Sequence, residues 1–90
     1  MAKVGFIQVR NQDSDLGIKL LNEVQLWLKA TGWGEVVTAS FQPATTESFV
    51  DFVPGKYQSN GPKRILLPKR ATIMDLQDPL AKWLWELEED

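Results

Sequence analysis

The chain has 90 residues, with 10 Lys and Arg against 12 Asp and Glu, for a formal charge of −2. A length of this order supports one modest core, burying roughly 64% of the unfolded surface, and the acidic balance argues against a general electrostatic duplex binder. Cys and His are both absent, which excludes disulfide scaffolds, thiol nucleophiles, zinc fingers and Ser–His or Cys–His catalysis.

The first element is a strand over residues 3–10, where Val4, Phe6, Ile7 and Val9 place apolar groups on both faces. A helix follows, capped by Asp13 or Ser14, with Asp15 against the positive end of its dipole. Leu16, Leu20, Val24, Trp27 and Leu28 recur at three- and four-residue spacing and form one stripe. Gly32 suits the left-handed position that closes it. Residues 35–42 read as a second strand and 46–53 as its antiparallel partner, because so short a link cannot make a parallel crossover. Ser59-Asn60-Gly61-Pro62 is a turn, and Lys63 to Leu67 is a short strand ended by Pro68. The last segment carries two start signals, a capping box at Thr72 to Asp75 and Asp78-Pro79. One turn at 72–77 followed by a helix from Pro79 to about Glu88 is the expectation. Leu80, Trp83, Leu84 and Leu87 make its apolar stripe.

The predicted architecture is a single-domain, two-layer α+β sandwich in the order β-α-β-β-β-α. An antiparallel sheet of three to four strands carries both helices on one face. From the first helix onward the order α-β-β-β-α is similar to that of a double-stranded-RNA-binding domain. In that family the second helix opens with a Lys/Arg cluster that grips phosphates. Here it opens with Asp75 and Asp78, so the resemblance is one of element order.

Three features bear on function. Between Asp51 and Asp75 lie no acids and five cations, Lys56, Lys63, Arg64, Lys69 and Arg70, with Tyr57 among them. Read functionally they form a nucleic-acid-contacting strand and loop; read structurally, the two pairs flank Ile65-Leu66-Leu67 as gatekeepers of an edge strand. Trp85 falls about 140° round from Leu80 at ~100° per residue, off the apolar stripe and beside Ala81 and Glu88. Ile18 and Leu26 fall off the stripe of the first helix. These five residues are the candidate protein-binding set, because exposed aromatic and aliphatic groups are common interface anchors. Third, the acidic end Glu86-Leu87-Glu88-Glu89-Asp90 opposes the helix dipole. It reads as a solvated tail or as an acidic surface for a basic groove.

Enzymatic readings find little support. There is no phosphate-binding or dinucleotide glycine motif. The loop 11–17 lacks the Gly and the distal Glu of a calcium site. Glu47 and Asp51 stand about 13 Å apart on a predicted strand, too far for a carboxylate pair. No cofactor and no metal are expected. The longest uncharged run, 36–46, spans 11 residues, short of the ~20 a membrane helix requires; no membrane contact and a cytoplasmic location are the defaults. The sequence therefore points to a non-enzymatic binding module contacting a protein, as adaptor or inhibitor, or a second copy of itself. The alternative is nucleic-acid binding through 56–70.

Overall fold

The computed structural model describes residues 4–33, 36–54 and 63–88, the side chains of 4, 37, 54 and 84–88 excepted. Among the described residues, six elements run in the order β1 (Val4–Asn11), α1 (Ser14–Ala30), β2 (Val36–Pro43), β3 (Ser48–Pro54), β4 (Lys63–Leu67) and α2 (Met74–Glu88). The fold is α+β, with one open four-stranded sheet in the order β2-β1-β3-β4.

The sheet is mixed, which corrects the all-antiparallel expectation. β1 and β2 run parallel, with Ile7 opposite Ala39 and Val9 opposite Phe41. β3 runs antiparallel to both β1 and β4. The 17 residues of α1 supply the dozen or more that a parallel crossover needs. The short link between β2 and β3 does forbid their being parallel, but the two are not partners, because β1 lies between them. Residues 44–47 arch over the end of β1. Four residues can reach about 13 Å when extended, enough to cross two strand spacings of about 4.8 Å. The arch is pinned from below: the Ala44 N–H donates to the Asn11 carbonyl at 3.0 Å. The Gln12 side-chain amide donates to the carbonyls of Thr45 and Thr46.

The core fills one face of the sheet. Ile7 and Val9 of β1, Val50 and Phe52 of β3 and Ile65 of β4 are register neighbours. They join Leu20, Leu21, Val24 and Leu28 of α1 and Leu76 and Leu80 of α2 in a single buried cluster. Trp83 stacks on Phe52 with ring centroids 6.1 Å apart. Both helices therefore serve one core.

Helix ends follow local chemistry. Asp13 caps α1, its carboxylate accepting from the N–H groups of Asp15 at 3.0 Å and Leu16 at 3.2 Å. At the other end Gly32 takes a φ of 85°, and the Trp33 N–H closes on the Leu28 carbonyl at 3.0 Å in a Schellman turn. Gly17 allows close approach between α1 and β2, for a Cβ there would lie 2.1 Å from the Phe41 ring. The start of α2 differs from expectation. The helix begins at Met74 and continues through Pro79. The reason is the capping box, in which the Thr72 N–H donates to the Asp75 carboxylate at 2.8 Å and nucleates the helix one turn earlier than Asp78-Pro79 would.

Candidate functional site

The sheet face opposite the helices is built by alternation. Phe6, Gln8 and Arg10 of β1 stand opposite Thr38, Ser40 and Gln42 of β2. On the other side lie Phe49, Asp51 and Val53 of β3, then Arg64 and Leu66 of β4. The register places Asp51 directly opposite Arg64. The guanidinium forks onto the carboxylate, Nε to Oδ1 at 2.7 Å and Nη2 to Oδ2 at 3.0 Å. The same guanidinium lies 3.9 Å from the centroid of the Phe49 ring, and that of Arg10 lies 5.6 Å from it. Two arginines thus roof a phenylalanine, which is why Phe49 is buried on a face that no helix covers. The hydrogen bond to Asp51 holds the Arg64 pKa above its ordinary value, against the opposing effect of desolvation. Arg10 is tied at its tip, Nη2 donating to Gln42 Oε1 at 2.8 Å.

This arrangement divides the basic block. Arg64 is committed to Asp51 and Phe49 and offers no free charge. Lys63 starts β4 on the core-side alternation with Ile65, exposed at the edge of the sheet. Lys69 and Arg70 sit in the turn before α2, both exposed. Lys69 borders the cleft beneath the 44–47 arch with Gln12 and Thr46. Lys69 and Arg70 together border the adjoining one with Asp13 and Ser14. The four cations do not converge on one patch. Lys56 and Tyr57 lie outside the described residues. Because β4 is an edge strand among the described residues, the gatekeeper reading of Lys63 and Arg64 has its structural precondition.

The protein-binding candidates fall on the helical layer. Ile18 is 47% exposed and Leu26 67%. They stand eight residues apart, about 80° round the helix from each other at ~100° per residue, so they do not form one patch. Leu26 shares a flank with Lys19 and Glu23, at i, i+4, i+7 spacing. Lys19 and Glu23 pair at 4.0 Å and line a groove of about 260 Å³ between α1 and the start of α2, floored by Leu20 and Ala71. At its mouth is Met74, 75% exposed, which the sequence reading missed. Its signal was present: Met74 lies off the stripe of Leu76, Leu80 and Trp83. Ala81, seven residues on, is half-buried. Positions 85 and 88 belong to α2, but the side chains of Trp85 and Glu88 lie outside the described residues. A second missed residue, Leu66, is 68% exposed on the open sheet face.

Among the described residues no cluster of three or more Asp and Glu side chains is placed to hold a metal ion. No described helix is long and apolar enough to cross a membrane. A scan against protein-family models and searches of curated proteins and of solved structures find no match to this chain.

Proposed function

We propose that this chain is a small non-enzymatic binding module that acts by protein–protein contact, as an adaptor or inhibitor. Its contact surface is the groove between α1 and the start of α2. The observation that carries the reading is the exposure of Met74, 75%, at a groove lined by Leu16, Leu20, Ala71 and Ile73. Leu26, 67% exposed, lies on the same flank of α1 as the rim residues Lys19 and Glu23, in a molecule whose other large aliphatic groups mostly fill the core. The rim charges, Lys19 and Glu23, offset each other, so the groove selects an apolar side chain rather than a charged one. The helix period carries the same surface from Met74 to Ala81 and on toward positions 85 and 88.

The test compares three baits. Full-length wild type, Met74→Glu with Trp85→Ala, and Leu66→Lys are used in parallel, and any retained protein is then titrated in purified form against each. Binding by wild type and Leu66→Lys but not by the groove variant supports the reading. Equal binding by all three overturns it.

A second reading, nucleic-acid binding, rests on Lys69 and Arg70, which are adjacent, exposed and without an ion-pair partner among the described residues. It requires affinity for an oligonucleotide pool that falls steeply with salt and disappears when both are changed to Glu. Retained, salt-insensitive binding removes it.

A further inference from the structure

We infer that the outer edge of β2 is a self-association site, pairing antiparallel with β2 of a second copy across a two-fold axis perpendicular to the sheet. The inference is independent of the helical groove. Among the described residues β2 and β4 are opposite edges of the sheet, and α2 packs mainly against β4.

The two edges differ in chemistry. β4 has five residues and opens with Lys63 and Arg64, the short, charged form that discourages strand addition. β2 has eight residues, VVTASFQP, and no charge; it begins the eleven-residue uncharged run 36–46. Its only edge-blocking feature is Pro43 at its last position. Among the described residues β2 pairs with β1 alone, so every second residue turns its N–H and C=O away from the sheet. Ala39 and Phe41 pack against the core yet remain only partly buried, and a fifth strand alongside would cover them.

Self-complementarity identifies the occupant as a second copy. A two-fold antiparallel pair centred on Ala39 sets Ala39 against itself and Thr38 against Ser40. Centred on Ser40, it sets Ser40 against itself, Thr38 against Gln42 and Ala39 against Phe41. In both registers apolar meets apolar on the core face and polar meets polar on the open face, except that the Ala39-centred register also sets Val36 against Gln42. No like charges oppose. The same operation on β4 sets Arg64 against Leu66 or against itself. The product is one continuous sheet of both copies, with all helices on one side.

The experiment is size-exclusion chromatography with light scattering on the full chain over a range of concentrations, joined to amide hydrogen exchange. Wild type is expected to reach twice the 10.2 kDa chain mass as concentration rises. Thr38→Lys, at an exposed position mid-strand, is expected to return the mass to that of one chain. Leu66→Lys, on the opposite edge, is expected to leave the dimer intact. Outer-edge amides of β2 should gain protection with concentration while those of β4 do not. A single-chain mass at every concentration overturns the inference, as does a dimer that survives Thr38→Lys or dissociates with Leu66→Lys. Should Thr38→Lys fail to fold by circular dichroism, wild-type exchange decides: concentration-dependent protection of β2 supports the pairing and its absence overturns it.

Discussion

At the scale of single residues, two contacts show how closely the layers depend on side-chain size and shape. Gly17 is the point where α1 meets β2, and an added Cβ would lie within 2.1–3.0 Å of three Phe41 ring atoms. Alanine is the better helix former by about 1 kcal/mol, but forcing the ring aside costs typically 1–3 kcal/mol. Gly17→Ala is therefore expected to lower stability, by roughly 1 kcal/mol net once the propensity gain is set against the overpacking. Adding Phe41→Leu should recover part of that loss in a double-mutant cycle of urea unfolding. Additive effects would show that the ring moves freely. On the open face, the Arg64 fork needs a planar guanidinium to reach both Asp51 oxygens while lying on Phe49. Lysine keeps the charge but supplies neither the fork nor the stack. Arg64→Lys is expected to lower the urea midpoint and to raise the exposure of Phe49 to solvent; an unchanged midpoint would show that charge alone suffices.

At the scale of elements, α2 gives the sharpest contrast between local signals and the assembled chain. Asp78-Pro79 is a good start signal by itself, and the sequence places the helix there. The Thr72–Asp75 box wins because Ala71 and Leu76, on either side of it, are both buried in the core, so tertiary packing fixes the earlier turn. Pro79 then stands sixth in the helix, where its missing N–H leaves the Asp75 carbonyl without its i+4 donor and its ring crowds that carbonyl. Pro79→Ala should accordingly stabilise the protein, by about 1–3 kcal/mol, part of the gain being offset by a more flexible unfolded chain. Thermal melts of the two chains decide it. Were Pro79 the first helical residue, the substitution would be neutral or destabilising. The same contrast explains what the sequence made legible. Element types and order followed from periodicity, which is local, and so did the exposure of Ile18 and Leu26. The parallel pairing of β1 with β2, and the placement of β1 between β2 and β3, depend on which strands share a core-facing surface. No window of the chain carries that information. Arg64 looked like a free cation for the same reason: its partner is fixed by strand register, thirteen residues back along the chain.

At the scale of the whole molecule, the arrangement of layers sets how stability is shared. α1 packs on β1 and β2, and α2 on β4, so the helices sit toward opposite edges of the sheet. They are joined through the central strands, where Ile7 and Val9 of β1 lie against Phe52 and Val50 of β3 in register and all four are fully buried. A perturbation at α2 therefore reaches α1 through the buried cluster that both helices share with β1 and β3. Leu80 is fully buried in that cluster, and Leu80→Ala is expected to cost about 2–5 kcal/mol. In a domain of this size, whose total stability is of the order of 5–15 kcal/mol, a loss of that size lowers the melting temperature by roughly 10 °C or more. A shared core makes the further demand that far-UV dichroism, reporting both helices, and near-UV dichroism, to which the Trp83–Phe52 stack contributes along with the other aromatic side chains, fall together in wild type and variant alike. If α2 were a separable layer, part of the near-UV signal of Leu80→Ala would be lost first while α1 and the parallel β1–β2 pair persisted. Coincident transitions would instead establish that the shared core couples the helices into one cooperative unit.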